Sequence, residues 1–507
     1  MIGSVTIENF RVFKEKTSFL FRPFTVLTGP NNSGKSSLIK FLLLIREGLE
    51  SLNFEKGNHN LEGYNEVLNW NSQSEKIKFS YNEVWDDEIK VEFDYNNSGK
   101  LTRLKYFSNT ELVFDIFNYL PSGQDDEGSQ TLKLNLEKLF PILLKEKILF
   151  YNVFILGEEM TDTYENEIIE FQNNYFKSIT TNFSNVYTQS GPKDVYEAIK
   201  DLVHYMIVTN KNKLIEFLSE ELKFDKKNIA VEYSKFGEDF FEEKIWTDND
   251  SGEEQKFIKL KRLVNNMLQR CRTTLFKDIH YLSANRGSQQ RVLKNKSEND
   301  IDEVVLEFTK TKIKDVEFLQ KCFDIIGIEG KLKVNRYENV ISTLSLKKDD
   351  RNISFADLGY GYSQILPIIL KCHNMIESTH PLLFFFQPKI LILEEPEANL
   401  HPSLQSKLAD LLMFIQKKVG IQFIIETHSE YFIRKLQYLT AKKKVNIEDA
   451  VIYYFNDDKY VTKTEPKVKE IFINEDGGLT DSFGPGFFDE ATKLQFDLIK
   501  LNKQQMN

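Results

Sequence analysis

The chain has few cysteines and no long apolar run, and each absence excludes a class of protein. Its 507 residues include three cysteines, Cys271, Cys322 and Cys372, which stand far apart without a C-x-x-C pair. Neither a disulfide framework nor a zinc site is expected, and buried free thiols in a reducing compartment are predicted. Apolar runs such as residues 381–386 are much shorter than the roughly 18 residues that a membrane-spanning helix needs.

Two further absences bear on location and partners. The first residues lack a basic stretch followed by an apolar core, so no signal peptide is expected and the predicted location is the cytoplasm. Basic residues are not in excess, since 66 Lys and Arg stand against 76 Asp and Glu, giving a net charge of -10. That balance argues against a protein that coats nucleic acid, although it is compatible with a local basic groove.

What the chain does contain is a phosphate-binding loop pattern, G-x-x-x-x-G-K-[ST]. The matching residues are Gly29, Pro30, Asn31, Asn32, Ser33, Gly34, Lys35 and Ser36. A β-type run precedes them at residues 24–28, and a helix-type run begins at Ser37. Strand, glycine-rich turn and helix N-terminus together form an anion site, where backbone N–H groups and the helix dipole face the phosphates. The alternative is a chance match in a polar turn, and the flanking runs argue against it.

Two acidic residues end a second apolar run. Residues 389–393 predict a buried parallel strand, and Glu394 and Glu395 follow directly. Open α/β sheets bind ligands at the carboxyl ends of their strands, so we expect these carboxylates near the phosphates. Glu394 is predicted to hold the hydration shell of Mg²⁺, and Glu395 to position and deprotonate the attacking water. The alternative is a strand that runs out into an acidic loop.

A third apolar run, residues 421–425, ends shortly before His428. A histidine that follows a parallel strand beside a phosphate site can sense or stabilise the charge of the γ-phosphate, whereas a lone histidine is more often structural. Between these two runs Pro402 is predicted to open a helix whose apolar face is explained by core packing.

A second glycine pattern precedes both strands. Residues 359–364 contain Gly361 and Ser363 and lead into a helix-type run, in which Pro367 is predicted to fall in the first turn. Such a helix start is a second candidate anion site. One subunit has no obvious use for two, so we expect the second to face the nucleotide of a neighbouring copy, head to tail. A glycine-rich linker is the alternative.

Four segments follow one another along the chain: the phosphate loop, the glycine signature, Leu-Glu-Glu-Pro-Glu at 393–397 and Glu-Thr-His-Ser at 426–429. Taken in this order, they resemble the motifs of an ABC-type ATPase head. The chain is most similar to SMC-, RecF- and Rad50-like ATPases, particularly to OLD-like bacterial AAA ATPases. Segments 7–11 and 281–286 share that resemblance, and segment 474–480 resembles a C-terminal module attached to such heads. The implied fold class is α/β, a P-loop NTPase head with a mixed sheet, an antiparallel β subdomain and a helical insertion.

The resemblance also implies a role for each motif residue. It implies that ATP is bound by Gly29, Pro30, Asn31, Asn32, Ser33, Gly34, Lys35, Ser36, Ser37, Arg11 and, from the neighbouring copy, by Gly361 and Ser363. The implied Mg²⁺ ligands are Ser36 and Glu394, and the implied catalytic residues are Glu395, His428 and Lys35. Residues 397–401 are implied to face the partner subunit. The chain departs from the usual pattern in having Glu394 in place of aspartate and a signature unlike that of transporters.

Composition and motifs predict four regions. Residues 1–118 form the N-terminal ATPase lobe with its antiparallel β subdomain, and residues 119–275 form a mainly helical insertion. Residues 276–455 form the C-terminal ATPase lobe with the signature, the tandem glutamates and His428, and residues 456–507 form a small C-terminal module. No nuclease domain of its own is expected in this chain.

The function implied by the resemblance is an ATP-hydrolysing switch whose heads dimerise on ATP and separate after hydrolysis. Relatives without a nuclease commonly act in bacterial anti-phage defence with a separate effector such as a nuclease, as in Septu-type systems. We therefore expect a homodimer or a higher oligomer, an effector protein as partner, DNA as a further candidate partner, and no membrane. The alternatives are a RecF- or Rad50-like DNA-repair clamp and an ATP-locked assembly scaffold.

Overall fold

The computed structural model describes residues 2–117 and 279–505, each with short gaps, and five separate segments between them. Those segments are residues 131–134, 151–155, 187–190, 215–220 and 229–233. Four of the five are strands and one, residues 215–220, is helical. Most of the predicted helical insertion at 119–275 therefore lies outside the described residues.

The strands and α-helices with described bounds are as follows. The strands are β1 (Ile2–Glu8), β2 (Thr17–Leu20), β3 (Phe24–Thr28), β4 (Ile77–Val84), β5 (Glu88–Tyr95), β6 (Leu101–Ser108), β7 (Glu111–Phe117), β8 (Thr131–Leu134), β9 (Tyr151–Ile155), β10 (Tyr187–Ser190), β11 (Ile229–Tyr233), β12 (Ile279–Leu282), β13 (Leu293–Lys294), β14 (Lys331–Tyr337), β15 (Ile341–Lys348), β16 (Arg351–Ser354), β17 (Ile390–Glu394), β18 (Gln422–Glu426), β19 (Ala450–Phe455) and β20 (Val468–Ile471). The helices are α1 (Lys35–Glu47), α2 (Tyr64–Val67), α3 (Asp300–Lys310), α4 (Val316–Ile326), α5 (Tyr360–Glu377), α6 (Pro402–Val419), α7 (Glu430–Ala441) and α8 (Glu490–Gln505).

A six-stranded mixed sheet carries all three of the apolar runs that precede motifs. Its strand order is β12-β17-β18-β3-β19-β20. The first five strands run parallel and β20 pairs antiparallel with β19. Every residue of β3, β18 and β19 is buried, as expected of parallel strands that are covered on both faces.

Both faces of this sheet pack against apolar layers. Neighbouring residues of a strand point to opposite faces, and Ile392 of β17 accordingly joins one hydrophobic cluster while Leu393 joins the other. The same alternation places Leu27 of β3 in the first cluster and Val26 in the second. The ends of β3, β17 and β18 are therefore fixed in position by two cores.

An eight-stranded antiparallel sheet, in the order β10-β8-β7-β6-β5-β4-β1-β2, adjoins the mixed sheet. The turn between β5 and β6 is formed by Gly99, which has φ 72°, and by Asn96, whose Oδ1 accepts from the N–H groups of Ser98 and Lys100. Strands β8 and β10 belong to the predicted insertion but extend this sheet. The antiparallel subdomain thus continues past residue 118, where the sequence placed its end.

Two further small sheets complete the described strands. β15 pairs with β13, β14 and β16, all antiparallel, and β9 pairs with β11. Within the described part of the chain, no helix combines the length and apolar character needed to cross a membrane.

Three further sequence predictions can be compared with the structure, and only the one for the cysteines agrees with it. Pro367 does not lie in the first turn of its helix, because α5 begins at Tyr360; the two glycines before it do not delay the helix. β20 falls in the predicted C-terminal module, yet it pairs with β19 in the mixed sheet. Cys322 and Cys372 are free and buried as predicted, and Cys271 lies outside the described residues.

Candidate functional site

The loop between β3 and α1 has a backbone shape that glycine adopts most readily. Gly29 has φ 135° and Gly34 has φ 112°, a region in which a Cβ is disfavoured. A Cβ on Gly34 would also lie 2.5 Å from the side chain of Val12, and one on Gly29 would lie 2.4 Å from the carbonyl oxygen of Phe455. Both conformation and close packing therefore require glycine at these positions.

The N-terminus of α1 is not capped by a side chain of its own. Its N-cap residue, Gly34, makes no side-chain cap, and its first turn contains no acidic residue. The first N–H groups of a helix lack intrahelical acceptors and carry partial positive charge. This end of α1 is consequently suited to a phosphate.

Lys35 lies inside the loop. Its Nζ donates hydrogen bonds to the carbonyl oxygens of Gly29, at 3.0 Å, and Pro30, at 2.9 Å. The same atom is 3.8 Å from Glu426 Oε1. Burial lowers the pKa of Lys35, while the charges of Glu426 and Glu395 oppose that shift. The ammonium is therefore held where phosphate oxygens enter such a loop.

Glu426 is a site residue to which the sequence analysis assigned no role. It ends β18, which pairs in parallel with β3, and Ser36 Oγ donates to its two carboxylate oxygens at 3.4 and 3.5 Å. Burial raises the pKa of Glu426 to about 7, and the charges of Glu394 and Glu395 add to the rise while Lys35 opposes it. The available signal was its position, a carboxylate at the end of a buried strand.

The tandem glutamates separate at the end of β17. The hydroxyl of Tyr281, on the neighbouring strand β12, donates to Glu394 Oε2 at 2.9 Å, and burial raises the pKa of Glu394. Glu395 takes the left-handed backbone shape, with φ 42°, and its N–H donates to the carbonyl oxygen of Glu426 at 2.7 Å. This turn directs the two carboxylates differently, so that Glu395 lines the cavity described below.

A buried arginine supports this turn. Arg286 is 0% exposed and donates to the carbonyl oxygens of Glu394, at 2.7 Å, Glu395, at 2.6 Å, and Ser283. Burial lowers the pKa of Arg286 to about 10, so the guanidinium stays protonated at neutral pH. In the sequence, segment 281–286 shows only a family resemblance, because a residue that binds backbone carbonyls leaves no pattern of its own.

His428 is joined to the segment that follows the tandem glutamates. Its N–H donates to Glu397 Oε1 at 2.7 Å, and Thr28 Oγ1 donates to the carbonyl oxygen of Thr427 at 2.7 Å. Burial and the charge of Lys35 lower the pKa of His428. The imidazole is consequently neutral at pH 7 and has one nitrogen able to accept and one able to donate a hydrogen bond.

One cavity of about 1020 Å³ brings most of the predicted residues together. The predicted residues in its wall are Arg11, Asn31, Asn32, Ser33, Gly34, Lys35, Ser36, Ser37, Glu395 and His428, and Glu426 joins them. Gly29 and Pro30 form the loop behind Lys35 without lining the cavity. Glu394 does not line it either, although its charge raises the pKa of Glu426. The catalytic and binding roles of all these residues remain predictions.

The second glycine pattern lies away from the cavity wall of its own chain. Gly361 and Ser363 are in the first turn of α5, and neither lines the cavity. A Cβ on Gly361 would stand in ordinary contact with Leu400 and Leu404, at 3.5 and 3.6 Å. The signature turn is therefore a neighbour of the segment predicted to face a partner subunit, residues 397–401.

The residues around Ser36 fit a magnesium ion. Mg²⁺ in phosphate sites is held by hydroxyl, carboxylate and phosphate oxygens. The site offers the hydroxyl of Ser36 in contact with the carboxylate of Glu426, and the charge of Glu394 acts on Glu426. The charges of Glu394 and Glu395 raise the pKa of Glu426, and the charge of Glu395 raises that of Glu394. A divalent cation would relieve this repulsion between carboxylates.

The site and the mixed sheet define an α/β P-loop ATPase with an antiparallel β subdomain. The chain belongs to the family described as the AAA ATPase domain, whose model matches residues 1–433. Residues 445–498 match a second family, described as a protein of unknown function (DUF3696). The first match ends at residue 433 and the second begins at residue 445. No curated protein matches the chain.

Three similar solved structures are heads of SMC proteins. The SMC head domain from Thermotoga maritima has 11% sequence identity and a TM-score of 0.37, and the match covers 93% of this chain and 99% of that one. An SMC head bound to the C-terminal winged-helix domain of ScpA has 11% identity, a TM-score of 0.39, and coverage of 94% and 98%. An SMC head from Pyrococcus furiosus, bound to the C-terminal domain of ScpA, has 12% identity, a TM-score of 0.38, and coverage of 98% and 99%.

Proposed function

We propose that this protein binds ATP with Mg²⁺ and hydrolyses it, and that the nucleotide state switches its association with a second copy. The observation that carries the proposal is the convergence of three strand ends on one cavity. Lys35 and Ser36 follow β3, Glu395 follows β17, and Glu426 and His428 stand at the end of β18. A phosphate-binding loop that faces a carboxylate and a neutral histidine has the groups that phosphoryl transfer to water needs.

The residues divide the work as follows. Lys35 exchanges its loop carbonyls for oxygens of the β- and γ-phosphates. Ser36 and Glu394 would hold the magnesium ion, and Glu426, which contacts Ser36, is placed to join them. The bound cation would supply positive charge that offsets the negative charge developing as the terminal phosphate bond breaks.

Glu395 is the proposed general base. It must hold a water in line with the bond to the γ-phosphate and accept its proton, a contribution worth about 10²–10⁴-fold in rate. The left-handed turn at Glu395 and its bond to the carbonyl of Glu426 support this role because they fix the side chain toward the cavity. The neutral imidazole of His428 donates to a γ-phosphate oxygen and thereby registers its presence.

The proposed switch is a head-to-tail dimer. Gly361 and Ser363 lie outside the cavity of their own chain, and Gly361 lies next to Leu400. In a dimer of this kind the signature turn of one copy and residues 397–401 meet the nucleotide of the other copy. His428, whose N–H is held by Glu397, then links the γ-phosphate to the dimer contact.

The decisive variant is Glu395→Gln, which keeps the shape of the side chain but cannot accept the proton. We expect ATP turnover, measured by phosphate release, to fall at least about 100-fold. ATP binding, measured as retained nucleotide, should be kept, and light scattering should show that the dimer accumulates in the presence of ATP. The matched control is Glu430→Gln, at a partly exposed glutamate on α7, and it should leave turnover unchanged. Wild-type turnover in Glu395→Gln would refute the assigned base.

The sequence resemblance extends this proposal to the cell, where dimerisation would control a separate effector such as a nuclease in anti-phage defence. A repair clamp would instead bind duplex DNA alone, in an ATP- and salt-dependent manner. A scaffold would be recovered with unhydrolysed ATP and show no turnover. Filter binding of duplex DNA at two salt concentrations, with analysis of the co-purified nucleotide, separates the three functions.

A further inference from the structure

Trp70 is exposed at the cavity of the phosphate loop. It is 93% exposed, more than any other large apolar side chain of the described residues, and it lines the same cavity as Lys35 and Ser36. Tryptophan is on average highly buried in folded proteins. A tryptophan left in water at the edge of a ligand cavity therefore calls for a partner that the folded chain does not supply.

The backbone on both sides of Trp70 is firmly held. Asn69 Nδ2 donates to the carbonyl oxygen of Arg11 at 2.6 Å, and the N–H of Arg11 donates to the carbonyl oxygen of Val67 at 2.6 Å. Asn9, which is 1% exposed, donates from Nδ2 to the carbonyl oxygens of Ser74 and Lys76 at 2.5 and 3.0 Å. The segment is built to hold one conformation, so the indole is presented from a rigid support.

The wall of the cavity connects this segment to the phosphate loop. Val12 packs so closely on Gly34 that a Cβ there would lie 2.5 Å away, and Val12 lines the cavity together with Leu68 and Trp70. These apolar side chains cannot serve phosphates. They suit a flat, uncharged group that is attached to the phosphates and extends beyond the loop.

On the basis of the proposed nucleotide site, we propose that Trp70 is the stacking platform for the base of the bound nucleoside triphosphate. The indole ring offers a large face, and stacking gains with the area of the partner ring, so a purine base is favoured over a pyrimidine. Val12 and Leu68 supply the apolar wall beside the ring. Trp70 is in this view a binding residue, and the phosphates are held by α1 independently of it.

The test compares a ligand that has a base with one that has none. Affinities of ATP, CTP and tripolyphosphate are measured by calorimetry for the wild type, Trp70→Ala, Trp70→Phe and Tyr431→Ala. The last is a matched control, because Tyr431 is 52% exposed and lies outside the cavity wall. We expect Trp70→Ala to weaken ATP binding about 5- to 100-fold and to leave tripolyphosphate binding unchanged. Trp70→Phe should retain most of the ATP affinity, and the wild type should prefer ATP to CTP.

Fluorescence gives an independent readout. The chain has three tryptophans, and ATP should quench a component of the emission that is missing in Trp70→Phe, whereas tripolyphosphate should not quench it. Unchanged ATP affinity in Trp70→Ala would overturn the stacking proposal while leaving the phosphate site intact. Equal weakening of ATP and tripolyphosphate, or weakened dimerisation with unchanged nucleotide affinity, would overturn it too. A wild type that binds neither ligand would refute the nucleotide site itself.

Discussion

The guanidinium of Arg286 donates a hydrogen bond to the backbone carbonyl of Glu395 at 2.6 Å, beneath the proposed catalytic carboxylate. Glu395 has φ 42°, a left-handed conformation that costs a residue with a side chain roughly 1–2 kcal/mol. The bond to Arg286 and the bond from the N–H of Glu395 to Glu426 hold that conformation. Arg286 is therefore a positioning residue, which sets where the carboxylate stands without touching the cavity.

Replacing this buried arginine should reduce both turnover and stability. Arg286→Met keeps much of the side-chain volume but leaves the carbonyls of Glu394 and Glu395 without a charged donor. Hydrogen bonds to charged groups are worth about 1.5–3 kcal/mol each, so we expect a loss of stability of about 3 kcal/mol or more in thermal melts. Turnover should fall more than ATP affinity does, because the phosphate loop is unaffected.

The matched control for this prediction is Arg434→Met on α7, whose side chain is 64% exposed and pairs with Glu430. Exposed ion pairs contribute at most about 1 kcal/mol, so this variant should melt and hydrolyse ATP like the wild type. If Arg286→Met lost ATP affinity and turnover in equal measure, a general structural role would replace the positioning role.

The two glycines at the ends of α1 should respond very differently to alanine. Gly34→Ala places a Cβ at φ 112° and 2.5 Å from Val12, so the loop must deform and ATP affinity should fall at least about tenfold. Gly48, at the other end of the helix, has extended φ of 161°, and its Cβ would lie at an ordinary 3.6 Å from its nearest neighbour. Gly48→Ala should bind ATP normally by calorimetry, and equal affinities of the two variants would contradict the loop geometry.

Glu426 should make the metal-free protein less stable as pH rises. Its pKa is about 7 in the folded protein against an ordinary 4.5, so folding retains a proton between these values. The contribution of Glu426 to the free energy of unfolding is therefore greatest below about pH 4.5. It decreases by roughly 3 kcal/mol as the pH rises through 7, and it is constant at higher pH. Glu426→Gln, which does not titrate, should remove that part of the decline in melts at pH 5 and pH 8 in EDTA.

The control for the pH experiment is Glu430, a partly exposed carboxylate on α7. Glu430→Gln should show the same decline between pH 5 and pH 8 as the wild type. If Glu426→Gln kept the full decline, the buried carboxylate of Glu426 would not be the group that loses its proton over this range.

Glu397 should support His428 as a hydrogen-bond acceptor, through Oε1, and its negative charge should not be needed for this role. Oε1 accepts from the N–H of His428 at 2.7 Å, and burial raises the pKa of Glu397. Glu397→Gln keeps an acceptor oxygen and should retain most of the turnover, whereas Glu397→Ala frees the backbone of His428 and should lower turnover roughly tenfold with little change in ATP affinity. Steady-state kinetics decide between them, and equal losses in both variants would mean that the charge is what matters.

Local sequence patterns predicted much of the site, because the motifs follow strands and helices whose formation depends mainly on the residues within those strands and helices. The run before the phosphate loop is a strand at residues 24–28 as predicted, and Pro402 opens a helix as predicted. The strand prediction depends on the run of apolar residues that suits a buried strand. The helix prediction depends on the fixed φ of proline. The prediction for Pro367 was wrong because α5 already begins at Tyr360 and includes Gly361 in its first turn.

The sequence by itself determined the chemistry of this protein: a glycine loop with its lysine and serine, two carboxylates after one strand and a histidine after another. Only the tertiary structure decided which of these share a cavity, because strand order depends on contacts between residues hundreds of positions apart. By inserting β18 between β3 and β17, it placed Glu426 against Ser36. By pairing β12 with β17, it brought Tyr281 to Glu394, and it buried Arg286 beneath Glu395. It also left Trp70 in solvent at the edge of the cavity, which no local pattern specifies.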